Sequence, residues 1–277
     1  MAKRETTGDR WRGFAVFLMF GANLAGSSLL PPHPSILRFL FSLPAPLFIG
    51  LAGYYSFQQP TKKLFFRGAI LLAWASCIDF LGWRISPFQE WDVLYVLGLG
   101  LWLSVFLKKS WGTVLGLVFI VLSLGSFAFP EFLHRGWFPP LPWLGIFLLG
   151  YWKNLYHKIS KFAIWGLLAG IYLVGFPPET RMGYSEWYYP ISFFSLAFAA
   201  GVLGLMDRFP RLIPGFLWLE TFGKNSLTVY VLSSFIIAWG TSRWVHGWKL
   251  SLFALLWLAL CVFFSTFIFR FSKKHDG

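Results

Sequence analysis

The sequence predicts an all-α fold, a polytopic membrane bundle of about ten transmembrane helices with both termini in the cytoplasm. Three observations predict it. Of the 277 residues, 57% are hydrophobic and 13% charged, with a mean hydropathy of +0.61; a soluble domain carries about 25% charged residues. Ten apolar runs approach the roughly 20 residues that a spanning helix needs. The basic residues also fall unequally on the two sides of those runs. Together these exclude a disordered chain and a secreted disulfide scaffold. The two cysteines, Cys77 and Cys261, both lie in apolar runs and form no CxxC metal motif.

The runs cover residues 12–30, 36–57, 64–83, 91–107, 111–129, 139–152, 162–176, 189–206, 221–240 and 250–271. None shows the alternation of a barrel strand, so each is read as a helix. The polar opening MAKRETTGDRWRG precedes the first run without an A-x-A-like cleavage site. It therefore reads as the start of a retained span rather than a signal peptide. Connections are short and no internal repeat is visible, so residues 1–277 form a single membrane domain.

Orientation follows from the basic residues. With the N-terminus inside, Arg38, Arg84, Arg135, Arg181, Arg243 and Lys249 fall outside, and the other 18 of the 24 Lys and Arg fall inside. Cytoplasmic loops collect such charges. The formal net charge of +13 is thus a matter of membrane topology, and no nucleic-acid partner is expected. The outer loops carry Trp83, Trp91, Trp137, Trp143, Trp187, Tyr188, Tyr189, Trp244 and Trp248. An aromatic belt at the lipid headgroups is the ordinary reading; stacking on a sugar is the other.

Polar groups inside a membrane are costly, which makes them the first candidates for chemistry. Asn23 lies eleven residues beyond Arg12 in the first run, about 16 Å along a helix and near mid-membrane. Helix–helix hydrogen bonding is its commoner use, since Gly21, Ala22, Ala25 and Gly26 permit close approach. His33 stands in the first outer loop among three prolines. An imidazole titrates near neutrality and can take a proton there, although an ordinary loop histidine fits as well.

Pro44 and Pro46 in the second run predict a bend, which membrane proteins tolerate where it lines a cavity. Asp79 near the outer end of the third run is the most embedded carboxylate. Arg84 or Arg38 can pair with it, or it can orient a histidine. Glu90 and Asp92 flank the fourth run, and Asp92 suits a helix N-cap. On the inner side, Asp9 suits a helix start, and Arg12 can hold a phosphate or meet a lipid headgroup. The segment Phe222-Gly-Lys-Asn225-Ser226-Leu-Thr-Val-Tyr230 clusters polar residues at a helix mouth, where backbone N–H groups favour anions. Loop capping is the alternative there. The phosphate-binding, zinc and nucleophile signatures of soluble enzymes are missing, and no metal is expected.

The string Asp9-x-x-Arg12-Gly13-x-Ala15-x-x-x-Met19-x-x-x-Asn23, followed by His33 and Pro46-Leu-Phe-Ile-Gly-Leu-Ala-Gly53, resembles the N-terminal part of the transmembrane acetyltransferase family that includes heparan-α-glucosaminide N-acetyltransferase. Trp91-Asp-Val-Leu-Tyr-Val-Leu-Gly-Leu-Gly100 resembles that family's fourth-helix motif, without the polar Gln-Arg pair of many relatives. Gly223-Lys-Asn-Ser-Leu-Thr-Val-Tyr230 resembles a late motif shared with related acyltransferases.

The resemblance implies transfer of an acetyl or acyl group from cytosolic acetyl-CoA, a co-substrate, to an amino or hydroxyl group on the far side. A sugar or cell-envelope glycan is the implied acceptor. His33 becomes the catalytic base and Asn23 its neighbour. Arg12, Lys63, Arg67, Asn225, Ser226 and Tyr230 become candidates for the acyl-CoA site, with Asp79 and Glu90 on the acceptor side. Membrane lipids surround the protein, an oligomer is compatible with the sequence, and the short loops suit a bacterial inner membrane. A sugar or lipid transporter without enzymatic activity is the competing reading, although transporters usually show internal repeats.

Overall fold

A computed structural model describes residues 6–28, 44–56, 59–107, 111, 114–116, 118, 138, 140–150, 217–244 and 259. Among them every regular element is helical and none is a strand, as the all-α reading expects. The chain forms two compact units, Met1–Pro44 with Arg208–Gly277, and Ala45–Asp207.

In the first unit, α1 (Thr6–Ser28) packs on two later helices, α6 (Leu217–Lys224) and α7 (Ser226–Trp244). Asp9 stands in the first turn of α1, where a carboxylate complements the helix dipole. Ala15, Val16, Leu18, Met19 and Phe20 are buried on α1, Leu219 and Phe222 on α6, and Val229 and Val231 on α7. The ninth apolar run is divided by a turn at Asn225. Its amide Nδ2 donates to the Thr221 carbonyl at 3.0 Å, and the backbone N–H of Asn225 donates to the same oxygen at 3.1 Å. A carbonyl that α6 leaves open at its C-terminus is thereby satisfied. The capping reading of Asn225 is what this geometry realises.

In the second unit, α2 (Pro44–Ser56), α3 (Thr61–Cys77), α4 (Val93–Phe106) and α5 (Pro140–Gly150) are described. Both prolines of the second run fall in the first turn of the described α2, where a missing N–H costs little. A bend ahead of Pro44 lies outside the described residues. Leu64, Gly68, Leu72 and Ala75 line the buried side of α3. Gly68 and Gly98 bring α3 and α4 close: a Cβ at Gly98 would meet the Leu72 side chain, and one at Gly68 the Trp102 indole. Phe147 of α5 is fully buried, against Gly53 through its backbone and Gly100 through its ring.

Helix α3 runs directly into a π-helical turn, Ile78–Trp83. Together they span Thr61–Trp83, 23 residues, the one stretch among the described residues long and apolar enough to cross a membrane. The turn closes when the Asp79 carbonyl accepts the N–H groups of Arg84 and Ile85. Arg84 takes the left-handed conformation, at φ 59°. Asp92 caps α4, its carboxylate accepting the Val93 N–H, as its place in the sequence suggests. The runs 162–176 and 189–206 lie outside the described residues, as do nearly all of 111–129 and 250–271.

Candidate functional site

Each unit holds a polar cluster. The first is built where α1 crosses α6. A Cβ on Gly13 would run into the backbone carbonyl of Leu219, and one on Gly223 into that of Asp9. The two glycines thus let the helix backbones touch, as small residues do at tight helix crossings. This contact fixes the charged side chains around it. Asp9 is almost wholly buried, and Arg12 Nη1 donates to its carboxylate at 3.2 Å, one helical turn away. Glu220 pairs with Lys224 at 2.8 Å within α6 and lies 3.9 Å from Arg10 Nε on α1. The latter is an ion pair without a hydrogen bond. Three cations and two carboxylates therefore surround the crossing.

Asp9, Arg12 and Gly13 come from the first motif of the sequence, and Gly223, Lys224 and Asn225 from the last. The structure brings these stretches together. Ser226 is half-buried as the first residue of α7, and Tyr230 is buried one turn further. Asn23 sits at an exposed position of α1. His33 lies outside the described residues, as does Arg38. Lys63 and Arg67, expected beside Arg12 at a cofactor, stand exposed on α3 in the other unit.

The second cluster lies at the C-terminal end of α3, where it passes into the π turn. Asp79 continues the buried row Leu64, Gly68, Leu72 and Ala75, four residues on from Ala75, so its carboxylate faces α4. Tyr95 of α4 donates its hydroxyl proton to Asp79 Oδ2 at 2.6 Å. The phenol oxygen in turn accepts the Phe88 N–H at 3.1 Å, and Ser76 Oγ lies 3.5 Å from it. Of the partners expected for Asp79, Arg84 is the one described, and it offers its backbone N–H to the Asp79 carbonyl rather than its guanidinium to the carboxylate. The reason is geometric. The carboxylate sits on the buried side of the π turn, whereas Arg84 follows the turn and is exposed.

Phe88, at φ 63°, is held in the left-handed region while its ring lies against Tyr95 with centroids 4.3 Å apart. Trp91 meets both rings edge-on. Glu90 is exposed beside this aromatic group. Nothing in the Trp91–Gly100 motif distinguishes Tyr95 from its neighbours as a partner for Asp79. The available signal was the i+4 row of small and apolar residues on α3 that ends in an acid. Among the described residues no three metal-ligating side chains gather.

No protein-family model matches the chain, and no curated protein matches it.

Proposed function

We propose that the protein is a membrane acyltransferase of about ten spans. It takes an acetyl or acyl group from cytosolic acyl-CoA and passes it to an amine or hydroxyl of a sugar or cell-envelope glycan on the other side. The observation that carries the reading is the α1–α6 crossing. The two stretches that resemble the acetyltransferase family, Asp9–Gly13 and Gly223–Tyr230, are about two hundred residues apart in sequence, yet they touch backbone to backbone. Membrane residence draws support from α3. Its spanning window is only 33% buried, whereas the core helix of a soluble protein is covered on most sides.

In this proposal the phosphates of acyl-CoA meet Arg12 and Lys224 on the cytoplasmic side, next to the mouth of α7 at Ser226. His33, on the far side, takes the proton from the attacking amine or hydroxyl as the acyl carbon leaves sulfur. Asn23 orients the imidazole or donates to the developing oxyanion. An acyl-histidine intermediate is the alternative order of events and would give ping-pong kinetics. Asp79 and Glu90, with the aromatic group around Tyr95, belong to the acceptor side. A bacterial inner membrane suits these steps, with a cytosolic acyl donor and an external glycan.

The test is label transfer from acetyl-CoA to amino sugars by the purified protein. Wild type transfers label, and His33→Ala slows the reaction by about 10²–10⁴-fold. Full activity in both His33→Ala and Asn23→Ala overturns the assignment. Sugar counterflow in vesicles without acyl-CoA, together with no label transfer, identifies a transporter instead.

A further inference from the structure

We propose that the exposed face of α3 is a binding site for an anionic phospholipid of the cytoplasmic leaflet. Lys63 and Arg67 hold the headgroup phosphate, and an acyl chain lies along Phe66, Ile70 and Trp74. The inference rests on membrane residence but not on acyl transfer.

These five positions recur at intervals of three and four residues and share one side of the helix. The other side carries the buried row of Leu64, Gly68, Leu72 and Ala75. On the open side Phe66 is 57% exposed, Ile70 49% and Trp74 41%. From Lys63 to Trp74 the helix rises about 16 Å, which is close to the depth of one leaflet, half of a hydrocarbon core about 30 Å thick. The face therefore offers two cations at one end and apolar rings over one leaflet's depth. A molecule with an anionic head and a hydrocarbon tail complements both parts.

The cations suit an anionic headgroup. Lys62, Lys63 and Arg67 crowd the first two turns of α3, the positive end of its dipole, and no acidic residue stands in the first turn. Among the described residues none of the three forms an ion pair. The aromatic pair beside them suits the depth of a bilayer interface. Phe65 stacks on Trp102 at 5.6 Å, and the Trp102 indole N–H donates to the Phe65 carbonyl at 3.0 Å; Trp is enriched where hydrocarbon meets headgroups. Lys and Arg stems can lie along apolar surface while their charges reach the phosphates. A second copy of the chain covering the same rings is the competing occupant. It would leave Lys63 and Arg67 unneutralised unless it brought carboxylates to them.

The experiment uses the full chain. Membranes are first washed with alkaline carbonate, and the retained protein is extracted in detergent. Phosphatidylglycerol or phosphatidylcholine is then titrated while bound lipid is counted by native mass spectrometry. Wild type is expected to retain phosphatidylglycerol selectively. Each cation near an anionic lipid surface contributes about fivefold in binding, so the double variant Lys63→Gln, Arg67→Gln should bind it about 25-fold more weakly. Exchange of the two cations, Lys63→Arg with Arg67→Lys, should preserve binding, as should Arg84→Gln at the opposite end. Release by carbonate overturns both membrane residence and the lipid site. Retention with equal binding of the two lipids, with an unaffected double variant, or with a dimer that Ile70→Lys dissociates overturns the lipid site alone.

Discussion

The Asp79–Tyr95 contact shows how one buried carboxylate dictates its surroundings. A carboxylate away from water needs donors, and the phenol supplies one at 2.6 Å. The same phenol oxygen accepts the Phe88 N–H, which ties the Ser86–Trp91 loop to the helix pair despite the left-handed backbone at Phe88. Tyr95→Phe would remove both bonds and deprive the buried carboxylate of its phenol donor. We expect a cost of about 1–3 kcal/mol, read as a lower melting temperature in detergent. Adding Asp79→Leu to Tyr95→Phe should recover most of that loss, because replacing both partners by apolar groups is far less costly than removing one. If Tyr95→Phe melts as wild type does, the hydrogen bond contributes nothing to the fold. The sequence alone made Asp79 conspicuous, but it offered charged partners, because opposite charges are visible in a string and a phenol sixteen residues away is not.

At the scale of elements, the α1–α6 crossing depends on two glycines whose missing Cβ atoms let backbone meet backbone. A methyl at Gly13 or Gly223 would press on the carbonyl of Leu219 or Asp9, and a helix carbonyl cannot rotate aside as a side chain does. A methyl at Gly100 would meet first the ring of Phe147, a side chain rather than a backbone carbonyl. Gly13→Ala and Gly223→Ala should therefore separate α1 from α6 and destabilise by more than the roughly 1–3 kcal/mol typical of overpacking, whereas Gly100→Ala stays within that range. Thermal melts of the three variants give the order, and an equal cost for all three contradicts the backbone contact. The same separation would pull Arg10 from Glu220, so the ionic group and the crossing should be lost together. Both glycines were legible as parts of motifs. That they face each other was not, because nothing local in either stretch specifies a partner two hundred residues distant.

For the whole molecule, the governing quantity is the distribution of charge about apolar runs. The basic bias predicts that residues 108–109 face the cytoplasm and residue 135 the exterior. With Cys77 and Cys261 replaced by Ala, single variants Lys109→Cys and Arg135→Cys can be probed in intact cells with a membrane-impermeant maleimide. We expect labelling at 135 and protection at 109 until the membrane is opened. The reverse pattern inverts the topology and puts His33 on the acyl-CoA side, where transfer across the membrane loses its sense.

Composition and residue order were enough to predict a helical, apolar chain and the sidedness its basic residues prefer. Those are properties of composition and order, and a bilayer responds to them run by run. The sequence also marked Asp92 as a cap, because capping is decided within one turn of helix. The packing of distant segments was needed to show that Asp79 bonds to Tyr95, that Gly13 and Gly223 join the first motif to the last, and that Lys63 and Arg67 lie on an open face of α3. Each of these depends on which faces pack together. Packing is fixed by steric fit between distant segments, which no single segment encodes.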